Sequence, residues 1–166
     1  MKQVPLLTTP GEGASIALAV RPPRLSPLVL PVLLALLACG KEIGRGALAD
    51  EGSVDVSITA RTGKKLALWT SLDVAFEGDF EASYAVELIQ NGKTVATATC
   101  NPMDVSAKIN STEVSLGSSR KLSYQGKMRC ELVPPADGPA TVHATLHVTQ
   151  RPADLKLRDI SLVVKE

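Results

Sequence analysis

The chain has 166 residues, 45% of them hydrophobic and 21% charged, with a net charge of +1. That mixture supports one packed core and excludes a wholly disordered chain. Residues 1–38 carry three basic side chains and one acidic, so the remainder sets fifteen basic against sixteen acidic, a balance without the clustered cationic face that a nucleic-acid partner requires.

The first 20 residues are loosely polar, and the most apolar stretch of the chain, "LSPLVLPVLLALLACGKE" from Leu25 to Glu42, follows them. Only 16 uncharged residues separate Arg24 from Lys41, and Pro27 and Pro31 interrupt them. A bilayer-spanning helix needs about 20 apolar residues, so the run is short and interrupted for a crossing, with a retained single-span anchor as a lesser alternative. The two prolines and the lack of a polar face also disfavour a buried amphipathic helix. A basic "RPPR" ahead of an apolar run that ends in small residues has instead the layout of a secretory signal.

The end of the run, Leu36-Leu37-Ala38-Cys39, resembles the lipobox of bacterial lipoprotein precursors. That resemblance implies cleavage between Ala38 and Cys39, a diacylglycerol thioether on Cys39 and an acylated new amino terminus. Residues 1–38 are then a signal peptide. Its basic region lies unusually far from Met1, and spacing alone suggests translation from a valine codon at Val20. Two or three acyl chains on Cys39 give stable anchoring to a lipid bilayer, where one chain binds only marginally. The implied localisation is the bacterial cell envelope, at the outer membrane.

An envelope address also bears on Cys100 and Cys130. In an oxidising compartment two thiols left after lipidation are expected to be bridged, closing a 31-residue loop, with two reduced buried thiols as the alternative. Their spacing fits no zinc or CxxC redox motif.

Behind Cys39, "GKEIGRGALADEGS" has four glycines, mixed charge and no apparent period. The reading is a flexible tether over residues 39–53 that reaches roughly 20 Å, with a folded domain over residues 54–166.

From Val54 onward hydrophobicity alternates with period two. "VDVSIT" sets Val54, Val56 and Ile58 on one side. "KLALWTSLDVAF" keeps Leu66, Leu68, Leu72, Val74 and Phe76 in phase, as one bent strand or two. Asn91-Gly92 suits a type I′ hairpin turn, which would pair Gln90 with Lys93 and Leu88 with Val95. "KINSTEVSLGS" is a serine-rich edge candidate. "KLSYQGKMRCELV" faces Met128, Cys130 and Leu132 inward, and "ATVHATLHVT" alternates Val142, Ala144, Leu146 and Val148 against Thr and His. In the last segment Leu155 and Leu157 are out of phase with Ile160, Leu162 and Val164, which a bulge near Arg158-Asp159 reconciles.

The expected fold is therefore all-β, a single antiparallel β-sandwich of about seven or eight strands, with a small closed barrel as the alternative. The strand count and spacing resemble immunoglobulin-like or fibronectin-type modules, without the tryptophan those place between the bridging cysteines. No GxSxG, SxxK, Walker or dinucleotide motif occurs, so no catalytic residue and no cofactor is assigned. His143 and His147, four residues apart on a strand, are separated by about 13 Å and cannot share one metal ion. Glu77, Asp79 and Glu81 alternate without calcium-loop spacing, and no metal ligand is assigned. Aromatic residues make up 3% of the chain, too few for a stacking platform. The expected function is that of a non-enzymatic, membrane-tethered lipoprotein whose sandwich binds another envelope protein, the segment "INSTEVSLGSSRK" offering a strand edge. The alternative is a ligand-binding or enzymatic envelope domain with a site built from loops.

Overall fold

The computed structural model describes residues 40–48 and 51–166; the expected signal peptide and Cys39 lie outside the described residues. Nine strands follow in chain order: β1 (Glu42–Leu48), β2 (Ser53–Ala60), β3 (Leu66–Glu77), β4 (Glu81–Gln90), β5 (Lys93–Cys100), β6 (Val105–Leu116), β7 (Ser119–Leu132), β8 (Gly138–Gln150) and β9 (Lys156–Lys165). They form a five-stranded sheet in the order β1-β9-β3-β7-β6 and a four-stranded sheet in the order β2-β8-β4-β5. Every pairing is antiparallel. The two sheets enclose one core, so the fold is a β-sandwich.

Period-two alternation builds that core. Leu66, Leu68, Leu72, Val74 and Phe76 of β3 face Tyr84, Val86 and Leu88 of β4 and Val142, Ala144 and Leu146 of β8. "KLALWTSLDVAF" is one strand, irregular at Ala67/Trp69 against β7. In β9 the pairs Asp73↔Asp159 and Val74↔Leu157 leave Arg158 as the extra residue, which brings both halves of the strand into one phase. Asn91 and Gly92 both have positive φ, 52° and 73°, as a type I′ turn demands. Gln90 pairs with Lys93 as expected, but Leu88 pairs with Ala96 and not with Val95. A bulge between Leu88 and Ile89 in the register leaves Val95 unmatched.

The flexible tether over 39–53 needs correction. Residues Glu42–Leu48 form β1, which pairs with β9 from Glu42↔Lys165 to Leu48↔Ile160 and raises the strand count to nine. The glycines that suggested a loop are the strand's inward face. A Cβ on Gly44 would lie 2.5 Å from Val56 Cγ1 and 2.9 Å from Ile58 Cγ2, and one on Gly46 would strike Val54. Bare backbone here lets β1 of one sheet lie directly on β2 of the other.

The Cys100–Cys130 disulfide is present, with a Cα–Cα distance of 5.6 Å. It runs from the end of β5 in the four-stranded sheet to β7 in the five-stranded one, so it joins the two layers. Trp69, which precedes both cysteines, is buried on the opposite side of β3 from Leu68 and Leu72, and the Lys165 ammonium lies 3.9 Å from its ring centre.

Candidate functional site

Strand β6 is the outermost strand of the five-stranded sheet, paired with β7 alone. Of its 12 residues only Val105 and Ile109 are even partly buried. Val114 is 54% exposed and Leu116 83% exposed, the largest apolar exposure among the described residues. The turn to β7 is a two-residue loop, Leu116↔Ser119, with Gly117 at its first central position and φ 61°. That placement suits a type II′ turn, whose twist matches the flanking strands. The amide of Gly78 donates to Ser118 O at 3.2 Å and ties the hairpin to the end of β3.

Between Ile109 and Thr112 the strand takes one residue more than β7 does, and Asn110 adopts φ 52° there. Asparagine tolerates the left-handed region better than most side chains. This bulge borders a polar groove of about 320 Å³ on the outer face of the sheet, lined by Arg45, Asp73, Asn110, Ser123, Gln125 and Asp159 among others. Asp73 and Asp159 are cross-strand partners. Ser161 Oγ donates to Asp159 Oδ1 at 3.1 Å, whereas Asp73 Oδ1 is buried without a hydrogen-bond partner. Arg45 donates twice to the Glu42 carboxylate, both at 3.0 Å. Those hydrogen bonds hold Glu42 below the usual carboxylate range and raise Arg45. No sequence signal pointed to this groove, because its residues come from five strands.

The histidines lie on the other sheet. His143 Nδ1 is 2.7 Å from Asp55 Oδ1 on the neighbouring strand. Its Nε2 is 3.4 Å from Thr145 Oγ1, which is 2.8 Å from Ser53 Oγ. The sequence showed no carboxylate beside either histidine, since Asp55 is 88 residues away along the chain. The chain of contacts has the order of an acid–base–hydroxyl triad. It stands on the face of β8, which pairs with β2 on one side and β4 on the other. Backbone amides in a doubly paired strand are committed to the ladders, and acyl transfer needs free donors for the oxyanion.

His147 is exposed opposite Ser83. Glu77 and Glu81 end the flanking strands β3 and β4, and with Asp79 they are exposed. Among the described residues no three His, Cys, Asp or Glu side chains converge on a point where a metal could bind.

The chain matches no protein-family model, and a search of curated proteins finds no relative.

Proposed function

We propose that the protein is a non-enzymatic envelope lipoprotein, acylated at Cys39, whose sandwich binds an extended segment of another envelope protein along β6. The observation that carries this reading is β6 itself: a 12-residue edge strand, open on one side, with Val114 and Leu116 exposed at its far end. Strand addition supplies main-chain hydrogen bonds for affinity, and alternate side chains for selection. Natural sandwiches usually blunt a long edge with charge, proline or a bulge. Here Lys108 and the Asn110 bulge interrupt the middle of β6, and its last three residues after Glu113, "VSL" at 114–116, are uncharged.

The test is site-specific photo-crosslinking in intact membranes, with the crosslinker at Val114 and a control on the exposed β5 residue Thr97. A discrete crosslinked protein from position 114, absent at 97 and lost in the V114K/L116K variant, is the expected result. Equal or no crosslinking at the two positions overturns it. For the anchor, Cys39→Ala abolishes lipid labelling and membrane fractionation; a variant that stays on the membrane refutes acylation at this residue.

A second reading, an enzymatic domain, is favoured by the Asp55–His143–Thr145 contacts. A fluorophosphonate probe that labels Thr145 or Ser53 and fails in His143→Ala would support it.

A further inference from the structure

We infer that the end of the sandwich opposite the β6–β7 turn is a seat for anionic lipid headgroups, formed by Lys41, Arg61, Lys64 and Lys65. These four cations, with Ile43 and Glu166, line a concavity of about 330 Å³. All four are exposed. Lys65 Nζ pairs with Glu131 at 2.6 Å and Arg61 with Glu166 at 3.4 Å, while Lys41 and Lys64 have no ion-pair partner among the described residues. Asp137, the other nearby carboxylate, is committed to the Thr62 amide, which holds it below the usual range. That hydrogen bond leaves the Asp137 charge in place, so four cations face the three carboxylates Glu131, Asp137 and Glu166, a surplus of one with Lys41 and Lys64 outside any ion pair among the described residues.

The position of that surplus makes it more than a solvated face. Lys41 is fixed to the end of β9 by two backbone hydrogen bonds with Glu166, Lys41 N to Glu166 O and Glu166 N to Lys41 O, both 2.9 Å. Gly40 packs against Glu166 O as well. Two peptide units separate Lys41 from Cys39, a span of about 7.6 Å at most. The inference rests on the acylated Cys39 of the proposed function. Given that anchor, the roughly 20 Å tether is gone, and this end of the sandwich must lie at headgroup level. Basic side chains at an anionic surface each contribute about 1 kcal/mol, or about fivefold in the equilibrium. A doubly acylated chain needs no help to stay on a membrane, so the role of the lysines is orientation: they hold the long axis of the sandwich upright.

Lipidated full-length protein carrying a spin label at Thr62→Cys, reconstituted into vesicles, tests this. The vesicles are pure phosphatidylcholine or equimolar phosphatidylcholine and phosphatidylglycerol. On anionic vesicles the label should lose mobility and water access. The effect should vanish at about 1 M salt, where the Debye length is about 3 Å. Each of Lys41→Gln and Lys64→Gln should shift the equilibrium about fivefold toward the unseated domain. Inorganic phosphate should not reproduce the change. Identical spectra on neutral and anionic vesicles, with the protein palmitate-labelled and membrane-bound, overturn the inference alone. Absence of palmitate label overturns the anchor and this inference with it.

Discussion

Gly44 and Gly46 carry more of the architecture than any apolar residue of β1, and they do so by having no side chain. In the sequence they sit two apart and in phase with Leu48, a strand period written in glycine, where hydrophobicity offers nothing to read. The physical reason is close approach of β1 to β2, so an added methyl group must displace Val54, Val56 or Ile58, whose β-branched side chains are stiff. Gly44→Ala should destabilise the fold by about 1–3 kcal/mol, seen as a lower urea midpoint at unchanged slope, and Gly46→Ala should behave alike. Substitution at the open turn residue Gly63 meets no atom within 4 Å, and its cost comes only from its φ of 70°. The tyrosines give a pH signature. Tyr84 is pushed up to about 12 by burial, and Tyr124 likewise. A raised tyrosine favours the neutral phenol in the folded state, so this stability is complete below pH 10 and is lost as pH rises toward 12. Tyr84 and Thr70 hydroxyls share a 3.3 Å hydrogen bond. Tyr84→Phe should cost about 1 kcal/mol near neutral pH and flatten the alkaline loss, as measured by urea unfolding across that window.

Strands with a clear alternation were legible element by element, including the two-phase β9, because burial on one face imposes period two directly on the side chains. The bulge at Arg158 reconciles Leu157 with Ile160, and removing that residue restores simple alternation with Asp159 outward. Deletion of Arg158 should therefore keep the fold at a cost of about 1 kcal/mol. One alanine inserted between Leu162 and Val163 should abolish cooperative thermal unfolding, because it turns Val163 and its successors to the wrong face. Less legible was anything that depends on which strands are neighbours. The Leu88 partner was missed by one residue because a bulge is a property of two chains in register. The groove around Asp73 and the Asp55–His143 pair join residues distant in sequence, and no local pattern records them. Strand β6 could be read as an edge because its serines and charges leave it no buried face.

At the scale of the molecule the disulfide is a side-chain cross-link between the layers, added to the loops that pass from one sheet to the other. Closing a 31-residue loop is worth roughly 3–4 kcal/mol on the chain-entropy account. C100S/C130S should lose that amount in equilibrium unfolding, and reduction of the native protein should match it. The two proposed surfaces stand at opposite ends. β3 leaves the lysine-bearing turn at Leu66 and reaches the β6–β7 turn at Glu77, where Gly78 meets Ser118. Eleven residue steps at about 3.3 Å place that turn roughly 36 Å from the basic end.

The pairing of β1 with β9 has a mechanical meaning. Under the proposed anchor and partner, a pull on the tip of β6 against Cys39 held in the bilayer would load the five-stranded sheet along its strands, from one flank to the other. Each ladder between β1 and β6 is then loaded in shear, with all its hydrogen bonds strained together, and none is peeled open one bond at a time. The six pairs between β1 and β9 resist extraction as a set. A flexible tether would pass the same tension to the proposed lipid anchor without orienting the sheet; with that anchor, a strand in this position would make the sandwich itself a tension-bearing link.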